Sequence, residues 1–98
     1  MATVQLRRYL LPADRIQQDE WIQWWKELTA PRQHFGFSIL FAYLDRESGE
    51  FTWAVAHDGE DFDDAEARYN ESAERLAVIG RPHPTVSLGR VSRVEVIA

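Results

Sequence analysis

Two apolar segments of strand length flank a short polar turn in the middle of the chain. Residues 35–44 (FGFSILFAYL) and 51–57 (FTWAVAH) are rich in β-branched and aromatic side chains, and Gly49 lies near the end of the turn DRESGE between them. This combination predicts a β-hairpin. Neither segment alternates between apolar and polar residues, as a half-exposed antiparallel sheet would. We therefore expect both faces of the hairpin to be covered, one by helices and the other by a second subunit.

The chain before the hairpin predicts one strand and one helix. Residues 3–11 alternate in the manner of a strand, which Pro12 ends. Residues 14–30 predict a helix that Asp14 and Gln17 begin as a capping box. Four apolar residues of this helix follow the i, i+3, i+4, i+7 spacing of a single stripe, namely Trp21, Trp24, Trp25 and Leu28.

The chain after the hairpin predicts a second helix and a last strand. Residues 61–70 form the helix, whose apolar face has one polar member, Glu66. Ser72 can cap a further helical piece that ends near Gly80, and residues 85–97 hold the fourth strand. The order β-α-β-β-α-β predicts an α+β, ferredoxin-like domain with an antiparallel sheet and both helices on one face. The opposite face would be bare in a monomer, and pairing of two such faces would bury it.

Composition narrows the class of protein. The 98 residues are short enough for a single domain spanning residues 1–98, and a net charge of −5 argues against nucleic acid and anionic membranes as partners. No cysteine is present, which excludes a disulfide framework, a thiolate metal site and a thiol nucleophile. The chain has neither a long apolar run nor the features of a signal peptide, so we expect a cytoplasmic protein that does not enter a membrane.

Several short motifs carry a resemblance to a known family. They are HFGF at residues 34–37, the turn DRESGE, FTW leading to HDG at residues 57–59, DF opening the second helix, and RY followed by SAER at residues 72–75. In these motifs the chain resembles the NIPSNAP-like family of the dimeric α/β-barrel superfamily. It departs from that pattern in a longer stretch after Pro12 and in Ala73, where such sequences often have proline.

The resemblance implies a homodimer, a dimeric α/β barrel in which two sheets pack face to face with the helices outside. It implies no particular reaction, because activity in the NIPSNAP-like family is poorly defined. Relatives in the superfamily include cofactor-independent monooxygenases, haem-degrading proteins and small stress-responsive proteins, and a shared fold does not transfer their chemistry.

The tryptophan stripe allows two interpretations. Spacing at the helix period is typical of a core face, and it favours packing of Trp21 and Trp25 into the core. The small residues Ser38, Ala54 and Ala56 opposite wide indoles would also leave room for a ligand, and sequence does not decide between close packing and a cavity.

The hairpin also holds the one candidate catalytic residue, His57. A histidine at a strand end beside Asp58 has a pKa suited to acid–base work, although a structural histidine at the sheet rim is the more common case. If Tyr43 pairs with Trp53, then Tyr43, Trp53 and His57 share one sheet face, which Arg8 could join. Such a patch could bind a planar acidic aromatic molecule or an enolate.

Other charged clusters favour simpler explanations. The acids of residues 58–66 lack the spacing of a calcium loop and suit a helix N-terminus, so no metal is predicted. Arg68, Tyr69 and Arg75 could bind a carboxylate or phosphate, but such arginines more often pair with nearby acids. No cofactor is predicted, since haem would need ligands beyond His57 that the sequence does not show.

Three functions are compatible with the sequence. The leading one is a homodimer that binds a small apolar or aromatic molecule in a pocket between helices and sheet, lined by Tyr43, Trp53, Arg8, Trp21 and Trp25. The alternative is a cofactor-independent monooxygenase or isomerase with His57 as the base. The third is a structural dimerisation module without a ligand. A cavity closed by the tryptophan stripe would favour the binding function, and a filled core would favour the structural dimerisation module.

Overall fold

The computed structural model describes residues 3–58 and 61–97. Gly59 and Glu60, which belong to the acidic segment 58–66 of the sequence analysis, therefore lie outside the described residues. The strands are β1 (Thr3–Leu10), β2 (Phe37–Leu44), β3 (Glu50–His57) and β4 (Ser87–Val94), and the helices are α1 (Arg15–Thr29), α2 (Phe62–Glu71) and α3 (Ala73–Ile79). A 3₁₀ helix (Ala30–Phe35) follows α1 directly. The order of strands and helices confirms the predicted α+β arrangement.

The strands form one antiparallel sheet in the order β2-β3-β1-β4. The central strands β1 and β3 pair along their whole length, from Thr3 opposite His57 to Leu10 opposite Glu50. This topology is that of the ferredoxin-like fold. It places β2 and β4 at the two edges of the sheet.

Capping side chains begin each helix. Asp14 accepts a hydrogen bond from the Gln17 backbone N–H at the start of α1, and Asp61 accepts from two backbone N–H groups at the start of α2. Ser72 caps α3 by accepting from the Arg75 backbone N–H. These contacts satisfy N–H groups that have no partner within the helix. The helix α1 ends at Thr29, close to the predicted end, and Pro31 lies in the first turn of the 3₁₀ helix, where its missing N–H costs nothing.

The two sheet faces differ in what covers them. On one face, α1 and α2 pack on the sheet and form the main core, which comprises Leu11, Trp21, Trp25, Phe37, Phe51, Trp53, Val55, Phe62, Ala65 and Tyr69. The other face holds a small cluster of Val4, Ala54 and Ala56 with Leu6, and no helical residue belongs to that cluster. The prediction of helices on one face is confirmed. We refer to the second face as the open face.

The pairing of Tyr43 with Trp53, which was the condition for a shared patch with His57, does not occur in the hairpin. The β2–β3 register shifts between Ile39 and Phe41, so Tyr43 lies opposite Thr52, and Ala42 lies opposite Trp53. An extra residue in one strand sends every later side chain to the other face. Phe41 and Tyr43 therefore stack on each other, with ring centroids 6.0 Å apart, and do not join Trp53 on its face of the sheet.

Candidate functional site: a cavity between helices and sheet

A cavity of about 200 Å³ lies between the sheet and the three helices. Its wall contains three of the predicted pocket residues, Trp21, Trp25 and Trp53. The other lining residues are Arg7, Tyr9, Trp24, Leu28, Thr29, Arg32, Tyr69, Asn70, Arg75, Ile79, His83 and Val86. The tryptophan stripe thus forms core and cavity wall together.

A larger and more open recess of about 420 Å³ lies beside the 3₁₀ helix and the start of β2, lined by Arg32, Gly36 and Ser38 among others. None of the four tryptophans contributes to it. We take the smaller cavity as the candidate site because aromatic side chains enclose it, as they do in most small-molecule sites.

Aromatic contacts hold the cavity wall in place. Trp25 packs edge to face on Trp53 at 5.3 Å between ring centroids, and Trp21 lies 5.3 Å from Tyr9. At the rim, His83 stacks on Trp24 with ring centroids 3.8 Å apart and an angle of 6° between the planes. His83 lies in the loop between two prolines, and the sequence predicted no role for it. Here it covers one side of the cavity.

A buried ion-pair network forms part of the cavity wall, because Arg7 and Arg32 line the cavity and both pair with Glu66. Arg32 is 4% exposed and makes two hydrogen bonds to the Glu66 carboxylate, at 2.8 and 3.1 Å. Arg7 approaches the same carboxylate at 3.1 Å, so two guanidinium groups share one acid. The Arg32 guanidinium also lies over the rings of Tyr69 and Trp53, at 4.2 and 5.4 Å from their centroids. Charge pairing and cation–π contacts together fix the geometry of these side chains.

The network sets the ionisation of its own members. Burial raises the pKa of the Glu66 carboxyl, but the hydrogen bonds and charges of Arg32 and Arg7 outweigh burial and hold that pKa below its usual range. Burial raises the pKa of the Tyr69 hydroxyl above its ordinary value, against the opposing charges of Arg32 and Arg75. At neutral pH, Glu66 is therefore a carboxylate and Tyr69 a neutral phenol, which donates its hydrogen bond to the Leu28 carbonyl.

Sequence reasoning identified only part of this site. The lone polar residue on the apolar face of α2 was a usable signal for Glu66, since a buried carboxylate needs a cationic partner. Arg7 and Arg32 gave no comparable signal, because one lies on β1 and the other on the 3₁₀ helix, and they meet at Glu66 only in the folded chain. The sequence predicted Arg8 as a pocket residue, whereas its neighbour Arg7 lines the cavity.

Arg8 and Tyr43 do not reach the cavity. Arg8 lies opposite Thr52 and Arg90 in the sheet and lines a separate surface recess with Glu50 and Gly89. Tyr43 is 54% exposed in β2. Adjacent residues of a strand point to opposite faces, which explains why Arg7 contributes to the cavity and Arg8 does not.

His57 lies outside the cavity wall as well. It is 4% exposed, its Nε2 atom is 2.7 Å from the Phe35 carbonyl oxygen, and its ring packs on Phe37 at 4.8 Å between centroids. A carbonyl oxygen only accepts, so Nε2 carries the hydrogen and donates it. This contact ties the end of β3 to the end of the 3₁₀ helix. The geometry is that of a structural histidine.

The described residues, 3–58 and 61–97, contain no group of three or more His, Asp or Glu side chains placed to hold a metal ion. Asp61, which belongs to the acidic segment, accepts hydrogen bonds from the Asp63 and Asp64 backbone at the start of α2. In the same ranges, none of the helices has the length and apolar character needed to span a bilayer.

Comparison with models of known protein families, with curated proteins and with solved structures finds no match to this chain. The NIPSNAP-like resemblance therefore stays a prediction from short motifs. Function has to be argued from the cavity itself.

Proposed function

We propose that this protein is a cytoplasmic, homodimeric, NIPSNAP-like protein that binds a small apolar or aromatic molecule in the cavity between its helices and its sheet. The observation that carries the proposal is the cavity wall, in which Trp21, Trp24, Trp25 and Trp53 surround about 200 Å³ of space. A fully packed core would have left no such volume. Because pockets for drug-sized ligands measure roughly 300–1,000 Å³, this one suits a molecule of one or two rings.

The homodimer is supported by the open face. Phe41 and Tyr43 are 43% and 54% exposed there, and the neighbouring strands add the buried apolar cluster of Val4 and Ala54. A second copy of the chain offers a face of the same shape and character, and isologous pairing would remove both from water. No observation of comparable weight favours an enzyme, because His57 does not line the cavity.

Calorimetric titration with two naphthalene derivatives, naphthalene methanol and naphthalene carboxylate, tests the binding function. Ile79 lines the cavity from α3, whereas Leu76 on the same helix is 56% exposed and does not line it. Ile79→Trp should fill the cavity and abolish binding, and Leu76→Trp should leave binding unchanged. Failure of both compounds to bind the unmodified protein, or binding that survives Ile79→Trp, would contradict the proposal.

A further inference from the structure

We infer that the cavity selects planar aromatic anions, molecules of one or two rings that carry a carboxylate, phenolate or enolate oxygen. The inference rests on the proposed function, since it names the chemical class of ligand that the same cavity takes. Three properties of the cavity wall carry it: its charge, its hydrogen-bond donors and its aromatic surfaces.

The charge of the wall is opposite to that of the protein. The chain has a net charge of −5, yet of the residues in 3–58 and 61–97 its cavity is lined by Arg7, Arg32 and Arg75 and by no aspartate or glutamate. Glu66 pairs with the first two arginines and neutralises the equivalent of one of them. A concave site with excess positive charge in an acidic protein attracts anions and repels cations.

Arg75 is the cation best placed to meet a ligand. Its guanidinium lies 5.9 Å from the centre of the Tyr69 ring, and in the described part of the chain no carboxylate forms an ion pair with it. Arg7 and Arg32 already share Glu66. A ligand oxyanion would give Arg75 the anionic partner that the described residues do not supply, with the planar, bidentate geometry that guanidinium groups favour.

The wall also holds donors without acceptors. The indole N–H groups of Trp21, Trp25 and Trp53 and the Nε–H of Arg32 are buried and have no hydrogen-bond partner among the described residues. Trp24 differs, because its N–H donates to the Val78 carbonyl at 3.2 Å. Buried donors are ordinarily satisfied, and four residues that carry unsatisfied ones line this cavity, so an acceptor that enters between their side chains would give them a partner. An anionic oxygen brings acceptors and no donors.

The remaining wall suits a flat ring. Trp25 and Trp53 meet edge to face at an interplanar angle of 79°, and Tyr9, Trp21 and Tyr69 add further ring surfaces. Aromatic ligands pack well against such surfaces in offset or edge-to-face arrangements. The combination of flat apolar walls with unpaired guanidinium charge distinguishes this cavity from a general hydrophobic pocket.

Matched probes separate this inference from the proposed function. Naphthalene carboxylate and naphthalene methanol share one ring system and differ in charge, so their affinities are compared by calorimetry at low and high salt. We expect the carboxylate to bind at least about tenfold more tightly than the methanol, because a hydrogen bond to a charged group contributes more than a hydrogen bond to a neutral group. We also expect its affinity, and not that of the methanol, to fall as salt is added.

A charge-removal series then locates the anion. Arg75→Gln should weaken carboxylate binding about tenfold and weaken methanol binding much less, so that the two affinities converge, and Arg75→Lys should restore part of the difference. The control Arg15→Gln removes one charge from an exposed position on α1 that does not line the cavity, and should change neither affinity. Thermal melts of each variant verify folding.

Equal affinity for the two probes would overturn the anion inference and leave the proposed binding function standing. Binding of neither probe would overturn both. The protein could also prefer naphthalene carboxylate and bind it equally tightly with and without Arg75→Gln. That result would overturn the assignment of Arg75 as the anion's partner.

Discussion

Arg32 and Glu66 join the 3₁₀ helix to α2 through two hydrogen bonds, and both side chains are largely withdrawn from water. Arg32 lines the cavity, and its guanidinium also lies over the rings of Trp53 and Tyr69 in the same wall. The position of the aromatic wall therefore depends on an ionic contact between residues 34 positions apart in the chain. The stability of the fold and the shape of the cavity are therefore coupled through this pair.

Removal of the Glu66 charge should destabilise the fold. Glu66→Gln leaves the buried Arg32 guanidinium without its carboxylate, and breaking one side of a buried pair costs about 3 kcal/mol or more. The measurement is the free energy of unfolding in urea. The control is Glu27→Gln, which breaks the exposed pair between Glu27 and Arg81 at 3.0 Å and should change stability by less than about 1 kcal/mol. Equal effects in both variants would contradict a buried, structural role for Glu66.

Acid should weaken the same contact. The pKa of Glu66 is lower in the folded state than the ordinary value of about 4.3, so the unfolded chain takes up the proton first as pH falls. The Glu66 contribution to stability is then fully present above that ordinary value and is lost as pH falls through the folded pKa. Urea unfolding from about pH 7 to about pH 3 should show the difference between the unmodified protein and Glu66→Gln shrinking toward the acid end. A difference that stays constant over this range would contradict the assignment.

His57 should matter for stability and not for binding. His57→Leu removes the donor to the Phe35 carbonyl and should cost about 1–3 kcal/mol, the usual penalty for a buried polar group left unpaired. Its affinity for naphthalene carboxylate should equal that of the unmodified protein. His34→Leu is the control, because His34 is 68% exposed where it meets Glu74 and should change stability by no more than about 0.5 kcal/mol. If His57→Leu lost affinity for naphthalene carboxylate at unchanged stability, His57 would have to belong to the binding site.

Gly36 should tolerate no side chain. Its φ of +85° lies in the left-handed region, and a Cβ added there would be 2.7 Å from the His57 Nε2 atom. Gly36→Ala should therefore destabilise the protein by about 2 kcal/mol or more. At Gly80, φ is −84° and an added Cβ would meet no atom within 4 Å, so Gly80→Ala should stabilise the protein by about 0.4–1 kcal/mol. Thermal or urea unfolding distinguishes the two, and a tolerated Gly36→Ala would contradict the described contact.

The open face should mediate self-association. Light scattering at micromolar concentration should give the mass of a dimer for the unmodified protein and of a monomer for Phe41→Asp, since a carboxylate cannot be buried there without a partner. Ile16→Asp is the matched control, because Ile16 is 68% exposed on α1, away from the open face, and this variant should remain a dimer. A monomeric unmodified protein would rule out the homodimer.

Much of the fold could be predicted because its signals are local. Alternation marks β1, the helix period marks α1 and α2, and the side chains of Asp14, Asp61 and Ser72 begin helices within one turn of themselves. Each of these signals depends on a few neighbouring residues, so each can be recognised in the sequence alone, before the tertiary structure is known. The order of strands and helices likewise predicted that both helices pack on one face of the sheet.

The site was harder to predict because its parts are distant in sequence. One extra residue near Leu40 moved Tyr43 away from Trp53, and no pattern in the sequence marks that bulge. The contact of Arg32 with Glu66 and the stacking of His83 on Trp24 join segments that meet only when the helices pack on the sheet. Sequence by itself determined the strands, the helices and the aromatic stripe, since backbone geometry sets their periods. Tertiary structure alone decided which arginines face the cavity, because that depends on register and on helix placement, and these follow from packing across the whole chain.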